Sequence, residues 1–114
     1  MNVKLQAGDR ATVCRLSGAL DLGAQDALQA SLAPVGPGRP VIFEISEVPL
    51  VDSVGLAVLL RAVRQVRRGG GAAVICCDQP SVRRMLEAVV VPSNANVLSN
   101  EAAAKSYLAP PRAA

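Results

Sequence analysis

The stretch VIFEISEVPLVDSVGLAVLLRAVRQVRRGGGAAVICC, residues 41–77, contains two apolar runs flanking one long amphipathic segment. Val41-Ile42-Phe43-Glu44-Ile45 is almost continuously apolar, the pattern of a parallel strand covered on at least one face. Pro49 stops its extension, and a helix begins near Ser53. That helix runs to about Arg68, where Gly69-Gly70-Gly71 ends it. Ala72-Ala73-Val74-Ile75-Cys76-Cys77 is the next buried strand. Strand, helix and strand in this order form a parallel crossover unit.

The same alternation continues on both sides. Upstream, Val3-Lys4-Leu5-Gln6 alternates apolar and polar, residues 7–10 turn, and Ala11 to Ser17 returns as the second strand of a hairpin. Gly18 breaks that strand, Asp21 can cap the next helix, and Ala24, Ala27, Leu28 and Leu32 recur at helical spacing. Residues 34–40 are a loop dense in Pro and Gly. Downstream, Asp78 is expected to cap a helix with Pro80 in its first turn and Val82, Met85, Leu86 and Val89 as its apolar stripe. Pro92 ends it, Asn96-Val97-Leu98 is a short strand, and a last helix covers about residues 100–108. The expectation is an α/β fold: a mixed sheet of four to five strands with about four helices. In such sheets functional positions favour the loops at the carboxyl ends of strands, where Ser53 lies.

Composition bounds the function. A chain of 114 residues makes one compact domain. Aromatics are only Phe43 and Tyr107, so the core must come from Val, Leu, Ile and Ala, and the base-stacking residues of a nucleic-acid binder are missing. No apolar run reaches the roughly 18–20 residues of a membrane span, and Met1-Asn2-Val3-Lys4 is no signal peptide. A soluble cytoplasmic protein without membrane insertion is expected. Cys14, Cys76 and Cys77 have no C-x-x-C spacing and the chain has no histidine, so no metal site is expected. Residues 61–84 carry six arginines against one acid, Asp78, which suits either a solvated helix face or a docking surface for an acidic partner.

With Ser53 at the origin and about 100° per residue, Gly55, Leu56, Leu59, Leu60, Ala62, Val63 and Val66 form one broad face to be buried. The opposite side holds Arg61, Arg64, Gln65 and Arg68, but its first turns hold Val54, Ala57 and Val58. Three apolar residues beside a helix N-terminus are either a partner surface or are covered by a neighbouring loop. Ser53 has two readings as well. It can be the helix N-cap, a role Asp52 could share, or a phosphate acceptor, since free N–H groups and the helix dipole tolerate an anion there. Gly55 either packs tightly or lets another backbone approach.

Ser17-Gly18-Ala19-Leu20-Asp21, Ile42-Phe43-Glu44-Ile45-Ser46, Val51-Asp52-Ser53-Val54-Gly55-Leu56 with Leu59-Leu60, and Val82-Arg83-Arg84-Met85-Leu86 together resemble the STAS domain family, and within it the bacterial anti-sigma factor antagonists. The resemblance implies a STAS domain over residues 1–109 and a flexible tail over 110–114. It implies partner switching. The antagonist binds an anti-sigma factor, which releases its sigma factor; that partner is often a serine kinase that phosphorylates the position of Ser53, and a phosphatase reverses the mark. ATP and magnesium would belong to the kinase, leaving this chain no cofactor and no catalytic residue. The expected partner-binding set is Asp21, Asp52, Ser53, Val54, Gly55, Ala57, Val58 and Arg61. Val54 stands where Ser or Thr is common, so Ser53 is the one hydroxyl of the motif, and Glu44 replaces a frequent aspartate. STAS subunits of bacterial phospholipid-transport ABC complexes look similar too; the final helix fits the sigma-factor branch better. An enzyme is disfavoured because no histidine and no phosphate-binding G-x-x-x-x-G-K-[ST] loop is present. Cys76 and Cys77 raise a redox switch, although strand neighbours point to opposite faces and at least one should be packing.

Overall fold

The computed structural model describes residues 1–49, 51–90 and 96–108, with Val89 and Val90 described by backbone alone. Their elements are β1 (Asn2–Ala7), β2 (Thr12–Ser17), α1 (Ala24–Leu32), β3 (Val41–Glu47), α2 (Ser53–Arg68), β4 (Ala73–Cys76), α3 (Pro80–Val90), β5 (Asn96–Leu98) and α4 (Glu101–Leu108). The expected helix ending at Pro92 and the tail at 110–114 reach outside the described residues.

Antiparallel β1 and β2 form the hairpin, with Asn2 opposite Ser17 and Ala7 opposite Thr12. Strands β2 to β5 are parallel, and spatial order equals chain order, β1-β2-β3-β4-β5. Val13, Ile42, Val74 and Asn96 stand side by side across four strands. Each crossover therefore adds its strand on the same side. Right-handed crossovers advancing in one direction place their helices on one face of the sheet. The packing agrees: Leu28 of α1, Leu59 of α2 and Leu86 of α3 share one core with Val41, Phe43 and Ile45. Ala104 of α4 packs on the other face with Val13, Ile42, Val74 and Cys76.

This two-sided cover explains the apolar run Val41-Ile42-Phe43 at the start of β3. Val41, Phe43 and Ile45 face the three crossover helices, and Ile42 faces α4. Alternation resumes at Glu44 and Ser46, which are only half-buried. Near there the start of α4 is tied to the sheet by an Arg15–Glu101 ion pair.

Two glycines hold positions that a side chain would disturb. Gly70 sits at φ +86°, the left-handed conformation that turns the chain out of α2. Gly55, in the first turn of α2, lies against the Leu20 carbonyl; a Cβ there would come 2.3 Å from that oxygen. The structure thus selects the close-approach reading of Gly55.

Some sequence expectations shift. Ala27 is exposed rather than part of the α1 stripe, because Ala24, Leu28 and Leu32 already fill the narrow contact of a two-turn helix. Asp78 does not cap α3: Pro80 is its first residue, so Gln79 takes the position before it and accepts the Arg83 N–H at 2.9 Å. Cys14, Cys76 and Cys77 are all buried. Cys76 and Cys77 lie in opposite cores, as strand geometry requires. Burial pushes the Cys14 and Cys76 thiols up to about 12 and raises Cys77 as well. Inert packing is what these thiols provide.

Gly55→Ala should cost roughly 1–3 kcal/mol, as overpacking does, and shift backbone amide resonances at both Asp21–Ala24 and Asp52–Val54. Thermal denaturation and NMR check this, and an unshifted Asp21–Ala24 segment would refute the contact. The buried thiols predict a response to alkali. A thiol whose folded pKa is raised favours the folded state fully below its unfolded pKa of 9.0, and that contribution is lost as pH climbs toward about 12. The unfolded chain sheds the proton first, so stability should fall over this window by at most about 1.4 kcal/mol per pH unit for each thiol. Denaturant titrations at pH 8 to 11 should show a shallower fall in Cys14→Ala and Cys76→Ala than in the parent chain.

Candidate functional site

Helix α2 begins where the chain leaves β3 through Val48 and the buried Val51. Asp52 is its N-cap, with extended backbone (φ −94°, ψ −175°), and its Oδ1 accepts the Gly55 N–H at 2.7 Å. The Asp52 carbonyl accepts the Leu56 N–H at 2.8 Å. Of the two residues able to cap, aspartate therefore does so. Ser53 becomes the first helical residue, exposed, with no hydrogen-bond partner for its hydroxyl among the described residues.

The first turn of α2 contains no acidic residue, while Arg67 and Arg68 occupy its last turn. The N–H groups of Ser53 and Val54 lack an i−4 carbonyl, and the helix dipole makes this end electropositive. An anion on Ser53 Oγ would thus meet open donors on the helix side and the Asp52 carboxylate on the other. Solvent would screen the like-charge contact with Asp52, which is itself exposed.

The turn after β2 completes the site. Leu20 is buried and its carbonyl abuts Gly55. Asp21 comes next; the N-cap position of α1 expected for it falls instead to Gly23, which has no side chain to offer, and the Asp21 carboxylate accepts the Ala24 N–H at 3.1 Å from the preceding turn. Arg61 Nη1 donates to Gln25 Oε1 at 2.9 Å, joining α2 to α1. Asp21, Asp52, Ser53, Val54, Ala57 and Arg61 are exposed around this junction, and Gly55 is buried beneath it.

Val58 departs from expectation. It is 3% exposed and belongs to the main core. The helical projection sets it beside Val54 and Ala57, but α1 packs against α2 on that flank and covers it, and Leu28 and Val58 both line the floor of the groove between the two helices. The buried face of α2 is consequently wider than its projection implies, and the apolar surface next to Ser53 reduces to Val54 and Ala57. A residue missed from the sequence joins them: Leu22 is 67% exposed in the turn between Leu20 and α1. Leu22 and Val54 each lie within two residues of the Leu20–Gly55 contact, one on each segment. The available signal was that Leu22 falls outside the Ala24, Leu28, Leu32 stripe.

No helix among the described residues is long and apolar enough to cross a membrane. Several solved structures share the fold at low sequence identity. An anti-sigma factor antagonist from Mycobacterium paratuberculosis is 19% identical with a TM-score of 0.75, over 94% of this chain and 92% of that one. An anti-sigma-factor antagonist (STAS) domain protein from Planctomyces limnophilus is 15% identical with a TM-score of 0.76, over 95% and 98%. The Bacillus cell fate determinant SpoIIAA in its phosphorylated form is 20% identical with a TM-score of 0.67, over 95% and 100%. The STAS domain family model matches residues 2–104, from the first strand into the last helix. With the hairpin, the three one-directional crossovers and the capped α2 start all inside that match, the chain belongs to the STAS domain family.

Proposed function

We propose that this chain is an anti-sigma factor antagonist switched by phosphorylation of Ser53. One observation carries the reading: Asp52 takes the N-cap hydrogen bond, leaving the Ser53 hydroxyl exposed and uncommitted at the start of α2. Membership of the STAS family and likeness to antagonists, one of them a phosphorylated form, support it. In this reading the chain is a binding protein and not an enzyme, acting in the cytoplasm; residues 1–109 are the domain and 110–114 its tail.

The unphosphorylated surface of Asp21, Leu22, Asp52, Ser53, Val54, Ala57 and Arg61 binds the anti-sigma factor, a serine kinase, which then frees its sigma factor. The kinase transfers the γ-phosphoryl group of ATP to Ser53 Oγ. A new O–P bond forms as the bond to the ADP oxygen breaks, and the hydroxyl proton goes to a base of the kinase. A phosphatase hydrolyses the ester. The phosphate brings about −1.5 to −2 charges at neutral pH. The free chain tolerates them, because α2's open N–H groups and solvent both stabilise the anion. Docking would strip that water beside Leu22 and Val54, and an uncompensated charge there is strongly unfavourable. Affinity falls at the interface without refolding.

Incubation with the cognate kinase and ATP should label Ser53 alone. Ser53→Ala should abolish labelling and keep partner binding; labelling of Ser53→Ala at wild-type level would place the switch elsewhere. Homogeneous Ser53-phosphorylated protein should keep its circular dichroism and most amide shifts while binding far more weakly. Recovery of a transporter ATPase instead of an anti-sigma factor on co-purification would replace this reading by the transport one.

Val54 and Val58 should respond in opposite ways. Val54→Glu, at an exposed position, should melt within a few degrees of wild type yet bind the partner poorly. Val58→Glu would bury a charge in the core and should destabilise by more than about 3 kcal/mol. Denaturant unfolding and calorimetric binding separate the two effects; equal stability of both variants would contradict the packing of α1 on α2.

A further inference from the structure

Between α1 and α2 runs an open groove of about 420 Å³. Its floor is Leu28, Val58 and Ala62, and its sides include Arg61, Arg64 and Arg68. Among the described residues no carboxylate lines it; the other polar lining side chains are the amides Gln25, Gln29 and Gln65. Arg61 is held by Gln25. Arg64 and Arg68 are exposed, and neither takes part in the Arg15–Glu101 or the Arg83–Glu87 ion pair. The basic stretch of residues 61–84 is thereby divided: three of its arginines converge on this groove, while Arg83 pairs along α3.

We propose that this groove is the docking channel for an acidic segment of the same protein partner that covers Ser53, an inference that rests on the antagonist reading. Three positive charges with no carboxylate among the described lining residues call for an anionic occupant. The apolar floor and the flanking amides suit a polypeptide, whose side chains can meet Leu28 and Ala62 while its backbone bonds to glutamine. A nucleic-acid occupant is disfavoured because no aromatic side chain lines the groove for a base to stack on. Continuity fixes which protein: Arg61 belongs to both the groove and the Ser53 surface, two helical turns apart on α2. The Ser53 end carries Asp21 and Asp52, and the groove end carries arginines. The opposed charges along one face would set the partner's orientation, and such rim charges act mainly on association rate and salt dependence.

The whole chain tests this directly by ¹⁵N–¹H NMR titration with two probes, hexaglutamate and hexathymidylate. Hexaglutamate should move the amides of Gln25, Gln29, Arg61 and Gln65, and the double variant Arg64→Glu with Arg68→Glu should lose that response. Absence of groove shifts at low salt, or tighter binding of hexathymidylate, would overturn the proposal. Should the double variant lose its fold, Arg64→Gln with Arg68→Gln serves in its place. Binding to the co-purified anti-sigma factor supplies the second arm. The double variant should bind about tenfold more weakly at about 50 mM salt, with the deficit largely gone at about 500 mM, where the screening length is only a few ångströms. Val54→Glu should bind poorly at both. Loss with Val54→Glu but none with the arginine variant sinks the groove and spares the Ser53 reading; wild-type binding by Val54→Glu sinks the Ser53 reading itself.

Discussion

The close approach of the Leu20 carbonyl to Gly55 is the contact on which the site depends. Leu20 belongs to the turn between β2 and α1, and Gly55 to the first turn of α2. Strand β2 and the strand feeding α2 are parallel neighbours, so their carboxyl ends emerge side by side. Removing the side chain at residue 55 lets the two exits touch backbone to backbone. Asp21 and Leu22 are then brought up to Asp52, Ser53 and Val54. A bulkier residue at 55 would separate two halves of one surface that are some thirty residues apart in the chain.

The fold was legible because its strongest signals are local. The nearly continuous apolar run Val41–Ile45, the glycine triplet after Arg68 and the turn residues around positions 8 and 18 each mark a boundary without knowledge of the partner elements. The same locality accounts for the errors. Val58 sits on the polar side of α2 by angle, and only the position of α1 buries it. Ala27 obeys the helical period, yet nine residues of α1 offer one narrow contact face. Asp78 looked like a cap by residue type, whereas the start of α3 is fixed by Pro80. Leu22 stood outside the period of α1, but its exposure in a turn is a tertiary property that the period does not decide. At Ser53 the sequence left two candidates for one hydrogen bond, and the extended backbone of Asp52 decided between them.

Charge and burial divide the molecule. The three thiols sit inside, their pKa values raised by desolvation, and contribute packing. Along α2 the surface changes character, from an electropositive, arginine-free start to an arginine-lined later course. The beginning of the helix thus offers backbone donors flanked by the Asp21 and Asp52 carboxylates, and guanidinium groups line its later course. The core beneath both is the same row of Leu59, Ala62, Val63 and Val66, so the surface can vary along α2 while its seating on the sheet stays constant.

The strand order has a further meaning. In open α/β sheets a nucleotide or coenzyme commonly enters where neighbouring crossovers leave in opposite directions and part, opening a crevice at the carboxyl edge. Strands β2 to β5 here advance in one direction only, with every crossover helix on the same side. Their carboxyl edge has no such parting. What it presents is a rim of turns and helix starts, with an open hollow of about 410 Å³ lined by Ser17, Ser46, Glu47 and Asp78. On the proposed reading, a phosphate on Ser53 would sit on that rim, where an approaching partner meets it without any movement of the sheet beneath.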